Sequence, residues 1–359
     1  MLRETWHVAQ LDVLLERALA YGASDLHLRA GTSPLIRVHG RLQILSAANS
    51  LDGYEALLLA LLTESQRQLF KAHCDLDFAY EIPEVGRFRV NLLRQHKGVG
   101  AVFHLLPSRI RTLEELGLPP VVYALARLEQ GLVLVTGPTG SGKSTTLAAI
   151  IDHINQESDK HIVTIEDPLE FIHLSKKSLV TQREVGSHTT SFATALRAVF
   201  REDPDIILLG ELRDLESISL AITAAETGHL VFGTLHTRTA TSTVDRLIDV
   251  FPADQQAQIR IMLADTLRGV IAQQLLVRVE GQGRVLAVEI LVGTAALANM
   301  IREGKTYQIP SLIQTGRRDS MQTMDQAILE LLRRKQITPQ EAYRKAIDKE
   351  TYRHYLERL

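Results

Sequence analysis

Apolar residues recur at helical spacing through Val8–Tyr21 and Tyr54–Phe70, and in shorter strand-like runs through Pro34–Leu45 and Asp75–Leu106. The strand-like runs break at His39-Gly40, Pro83–Gly86 and Lys97–Gly100, turn chemistry that predicts an antiparallel sheet. In Arg87-Phe88-Arg89-Val90-Asn91-Leu92 the alternation is strict. A strand there turns Phe88, Val90 and Leu92 to a core and Arg87, Arg89 and Asn91 the other way. Taken on period alone, that arginine-bearing side reads as a solvated sheet face. Residues 1–106 thus form a small α+β domain, and the proline-bearing stretch 107–120 reads as a linker.

The texture then changes. Strand-like runs at Leu132–Thr136, His161–Glu166, Ile206–Leu209 and Leu230–Thr234 alternate with helical stretches from Ser144, around Phe192–Phe200 and around Leu215–Thr227. Such alternation predicts a mostly parallel sheet covered by helices on both faces, an α/β domain over 121–359. Its last part, from about 255 to 359, is dominated by helical periods, with a capping box at Thr338-Pro339-Gln340-Glu341.

Composition narrows the reading without redirecting it. The 359 residues carry 40 Lys+Arg against 42 Asp+Glu, a net charge of −2, which leaves no global basic footprint for nucleic acid. The one cysteine, Cys74, excludes an internal disulfide and a cysteine zinc cluster, and no apolar signal core follows the start, so a reducing cytosol is expected. The longest aliphatic run, Ala56–Leu62, is far below the roughly 20 residues a membrane span needs, so membrane contact is expected only through partners.

The chemistry begins at Gly137-Pro138-Thr139-Gly140-Ser141-Gly142-Lys143-Ser144, which matches G-x-x-x-x-G-K-[ST] and stands between an apolar strand and a helix. Glycines let backbone N–H groups curl around a triphosphate, Lys143 reaches the outer phosphates, and the Ser144 hydroxyl ligates Mg²⁺. With Thr145, these residues form the expected nucleotide-binding loop, and ATP and Mg²⁺ are the expected ligands. A carboxylate is also needed for the metal and the attacking water. Glu211, leaving the aliphatic strand Ile206–Leu209, is placed to supply it, unless it is a surface residue of a turn. Glu166, Asp167 and Glu170 crowd a strand end; they read either as neighbours of a cation or as a solvated acidic turn. His236 and Thr237 end a third strand, where a polar group can sense the γ-phosphate, although a lone histidine is more often structural.

Together these segments resemble the secretion ATPase superfamily. The set comprises Gly137–Ser144, Thr164–Phe171, Arg183-Glu-Val, Arg201–Asp214 and Ala224–Thr237. Within that superfamily the resemblance is closest to the PilT family of type IV pilus retraction ATPases. It runs nearly end to end, through Ala23-Ser-Asp-Leu-His-Leu, Gly86–Asn91, Ile301-Arg-Glu-Gly, Ile313-Gln-Thr-Gly and Met321–Asp325. The resemblance implies an N-terminal PAS-like domain and a RecA-like P-loop ATPase domain, assembled as a homohexamer. This would work at the cytoplasmic face of the inner membrane on a pilus platform protein.

The same resemblance implies roles for single residues. Glu170 matches the general base and Glu211 the glutamate that supports metal and water. His229 and His236 match a histidine box that links nucleotide state to domain movement. Arg87, Arg89 and Arg94 match side chains that approach the nucleotide across the domain cleft, which replaces the solvated-face reading of their strand. One departure is His104, at a position usually arginine, which puts one phosphate-facing charge in doubt. The long N-terminal extension and cysteine zinc motif of many assembly and type II secretion ATPases do not occur in this sequence, so retraction is expected over assembly. An accessory retraction paralogue and an assembly motor share every catalytic motif. A RecA-like ATPase acting on nucleic acid would need a basic, aromatic-lined channel, and aromatics are only 5% of the chain.

Overall fold

A computed structural model of the protein describes residues 2–38, 40–45, 54–106, 109–281 and 283–356, apart from the side chains of residues 2–10. His39 of the expected His39-Gly40 turn, and Pro107 and Ser108 of the expected linker, lie outside the described residues. The chain divides into two compact units, Met1–Arg109 and Ile110–Leu359.

In the first unit six strands form one sheet. They are β1 (Asp25–Arg29), β2 (Leu35–Val38), β3 (Arg41–Ile44), β4 (Asp75–Ile82), β5 (Gly86–Gln95) and β6 (Gly98–Leu106), in the order β3-β2-β1-β6-β5-β4 and antiparallel throughout. The alternation of β5 holds: Phe88, Val90 and Leu92 are fully buried, each stabilising the unit by about 1.5–3 kcal/mol, while Arg87, Arg89 and Asn91 are half-buried on the other face. The helix expected over Tyr54–Phe70 is two helices, Tyr54–Ala60 and Glu64–His73. Thr63 explains the break, because it accepts the N–H of Gln66 while the Gln66 side chain accepts the N–H of Thr63, a capping box that starts a new helix.

The second unit contains β7 (Gly131–Thr136), β8 (His161–Glu166), β9 (Leu179–Glu184), β10 (Ile206–Leu209), β11 (Leu230–Leu235), β12 (Leu267–Val277) and β13 (Arg284–Val292). Their order is β13-β12-β7-β11-β10-β8-β9, all neighbours parallel except the β12–β13 hairpin. Every residue of β7, β10 and β11 is buried, because helices cover both faces. Leu132 and Leu134 enter one core, Val133 and Val135 the other.

Three differences from the sequence reading stand out. Leu113 and Leu118, inside the stretch read as a linker, are buried in the second unit's core. The expected helical part from about 255 onward contains β12 and β13, which complete the main sheet; their near-continuous burial hides the period that would have separated strand from helix. Thr338 caps the helix Pro339–Lys345 by accepting the N–H of Glu341, but the Glu341 carboxylate turns to the N–H of Val277 and to Arg344.

Candidate active site

The fully buried β7 delivers Gly137 into a tight turn. A Cβ at Gly137 (φ +145°) would sit 2.3 Å from the Gln273 carbonyl oxygen and 2.6 Å from Ser141 Oγ, so only glycine fits. Gly142 (φ +90°) starts the helix Lys143–Glu157 without a side-chain cap, leaving the first-turn N–H groups to the loop. Lys143 is buried and curls back: its Nζ donates to the carbonyls of Gly137 at 2.9 Å and Pro138 at 3.3 Å. Burial lowers its pKa, while the negative charges of Glu211 and Glu170 pull the other way. Ser141 Oγ is enclosed with no partner among the described residues. A buried cation, an unpartnered hydroxyl and an uncapped helix start make a cradle that fits a polyphosphate, and the Ser144 hydroxyl and Glu211 carboxylate are oxygen donors suited to Mg²⁺.

Glu211 is set by its neighbours. Gly210 N–H donates to Ile165 O at 2.8 Å, Thr234 Oγ1 donates to Gly210 O at 2.5 Å, and Leu212 N–H donates to Thr234 O at 2.9 Å, pinning the turn between β8 and β11. The Glu211 carboxylate accepts from Arg213 at 2.8 Å and lies 3.3 Å from His236 Nε2. Burial would raise its pKa, but the Arg213 hydrogen bond and charge, with His236, outweigh it, and Glu211 titrates below the ordinary range. His236 Nδ1 lies 3.5 Å from Thr139 Oγ1, so the ends of β10 and β11 and the P-loop form one connected cluster.

The acidic segment divides in character. Glu166 is half-buried at the end of β8, where Thr164 Oγ1 donates to it at 2.8 Å, and partial burial pushes its pKa up to about 7. The charge of Glu170 adds to that rise in Glu166 while favouring the charged form of Lys143. Glu184, buried on β9, accepts the N–H of Leu169 at 3.0 Å and the Ser187 hydroxyl at 2.8 Å, which fixes the chain immediately before Glu170.

Glu166 has a consequence for stability. Its folded pKa lies above the unfolded value, so its favourable contribution is complete below the usual carboxylate range and is lost as pH rises through about 7. Glu166→Gln keeps an acceptor for Thr164 and removes the charge that this half-buried position disfavours. The variant is expected to gain melting temperature relative to the parent between pH 5 and pH 8, and parallel pH profiles would contradict the assignment.

Other predicted residues fall elsewhere. His229 precedes β11 and His236 follows it, so about 20 Å of strand separates them. The His229 ring bonds Ala224 O at 3.0 Å and packs edge-on to Phe200 at 5.8 Å, away from the P-loop of its own chain. The arginine set also splits. Arg94 lies at the parity of Phe88 and Leu92, with its guanidinium over the Phe70 ring at 5.8 Å, on the face opposite Arg87 and Arg89. His104 Nδ1 contacts the buried Asp25 carboxylate, which also faces Arg37 Nε at 3.6 Å. Sequence patterning alone assigns no role to Glu184 or Gln273. The visible signal for Gln273 was a polar pair interrupting the run Val270–Leu276.

A P-loop and a strand-end carboxylate on a parallel sheet, in a chain that also carries an antiparallel unit, define the class. The chain belongs to the family of type II/IV secretion system proteins, whose sequence model matches residues 6–354. Among its relatives is the type IV pilus retraction ATPase PilT of Pseudomonas aeruginosa, 51% identical over 334 residues that make up 93% of this chain and 97% of that one. A twitching motility protein of Neisseria gonorrhoeae is 50% identical over 89% of this chain and 86% of its own. The crystal structure of the pilus retraction motor PilT with bound ADP superposes with a TM-score of 0.86 at 46% identity, covering 95% of this chain and 97% of that one.

Proposed function

We propose that this protein is the ATP-hydrolysing motor of type IV pilus retraction. The observation that carries the reading is the joining of Lys143, Glu211 and His236 around the P-loop, in a chain that matches nearly the whole length of a retraction ATPase. Lys143 exchanges its contacts with the Gly137 and Pro138 carbonyls for phosphate oxygens, and the loop residues Gly137–Thr145 wrap the phosphates. Glu170 accepts the proton of the attacking water, giving ADP and inorganic phosphate. Ser144 and Glu211 would hold Mg²⁺, which would supply positive charge against the phosphates. His236, bridging Thr139 and Glu211, responds to the γ-phosphate.

In this reading the chain acts as a cytoplasmic homohexamer at the inner-membrane face, moving a pilus platform protein. Arg87 and Arg89 are the arginines of the first unit that serve the nucleotide, while Arg94 stabilises its own unit over Phe70. His229 acts apart from its own chain's P-loop. Among the described residues no helix is long and apolar enough to cross a membrane. Chelation provides a direct check: ATP turnover by the purified protein is expected to fall to background in EDTA and to return with added Mg²⁺. Turnover indifferent to EDTA would contradict the metal assignment.

A further inference from the structure

Two consecutive glutamines interrupt the aliphatic run of β12, and the strand turns them to opposite faces. Gln274 donates to the Lys345 carbonyl at 3.2 Å, on the side of the helix Pro339–Lys345. Gln273 is 1% exposed, and its Nε2 donates to the Ser141 carbonyl at 2.8 Å. A carbonyl only accepts, so this contact requires the amide nitrogen to face the P-loop. Arg284, on the neighbouring β13, reaches the Gly140 carbonyl at 3.5 Å, so the hairpin holds two consecutive carbonyls of the loop. The main chains approach closely as well: the missing Cβ of Gly137 would strike the Gln273 carbonyl, and that of Gly142 would lie 3.4 Å from Gln273 Nε2.

Burying an amide is costly unless it is hydrogen-bonded, and an aliphatic residue would suit the strand without that cost. The Ser141 carbonyl and the Gly142 N–H belong to one planar trans peptide and point in opposite directions. Holding the carbonyl toward β12 therefore holds the Gly142 N–H away from it. We infer that Gln273 is a positioning residue for nucleotide binding, fixing the Ser141–Gly142 peptide so that the loop's N–H groups are set before the phosphates arrive. This rests on the reading of Gly137–Ser144 as the nucleotide loop.

The test uses the full chain, with ADP as the probe. Gln273→Met fills similar volume without a donor. Its ADP dissociation constant and ATP KM are expected to rise about tenfold, the factor equal to about 1.4 kcal/mol, with kcat within about twofold and an almost unchanged melting temperature. Gln274→Met, one residue along on the other face, should bind ADP as the parent does. Gln273→Glu places a carboxylate against the Ser141 carbonyl. Its weakened ADP binding at pH 8 should recover relative to the parent as pH falls and the buried carboxyl regains a proton to donate.

Unchanged ADP affinity in Gln273→Met, or an equal loss in Gln274→Met, would overturn the inference. Should Gln273→Met fail to fold, a Gln273→Glu profile running parallel to the parent's at all pH values would overturn it instead. If the parent itself binds no ADP, the nucleotide reading fails; if the parent binds and Gln273→Met binds equally, only the role of Gln273 fails.

Discussion

Lys143→Ala protein is expected to show no measurable ATP turnover, a loss on the order of a thousandfold or more, while keeping a melting transition close to the parent's. The two halves of this expectation have separate physical origins. Lys143 is the buried cation of the cradle, and the charges of Glu211 and Glu170 sustain its protonated form against the burial that disfavours it. Removing it takes away the cradle's buried cation and leaves incoming phosphates near the carboxylates of Glu211 and Glu170. The fold depends on it much less, because burying an ammonium is itself costly and the lost contacts are two bonds to loop carbonyls. A phosphate-release assay beside a thermal melt checks both halves, and retained turnover in a folded variant would contradict the mechanism.

Glu211→Gln is expected to lower kcat by about 100- to 1000-fold with a much smaller change in the ATP KM. The amide oxygen can still accept from Arg213 and lie beside His236, so the turn pinned by Thr234 keeps its shape. What disappears is the negative charge, which Arg213 and His236 maintain below the ordinary carboxylate range. Steady-state kinetics separate the two parameters. A rise in KM at unchanged kcat would make Glu211 a binding residue and remove it from the hydrolytic step.

Much of this site was legible in the chain because each visible signal has a local cause. The P-loop declares itself by glycines at positive φ between a buried strand and a helix, and the aliphatic run Ile206–Leu209 declares the strand that carries Glu211. The strict alternation of β5 placed Phe88, Val90 and Leu92 correctly for the same reason.

What escaped is non-local. β12 and β13 are apolar enough to pass for helix, and only their pairing with each other and with β7 identifies them. Gln273 meets Ser141 across 132 residues, and no spacing within a motif reports such a contact. The parity that sends Arg94 to the Phe70 side follows from the continuous register of β5, and the separation of His229 from His236 follows from the length of β11. A motif reading groups residues by nearness in sequence. A strand places its two ends apart and its successive side chains on opposite faces.

The most direct test of the central claim is a count of surface pili on cells lacking this gene, complemented with the parent or with Lys143→Ala. The account predicts excess pili in the deletion, normal numbers restored by the parent alone, and continued excess with Lys143→Ala. Bald cells in the deletion would make the protein a motor of assembly and contradict the account.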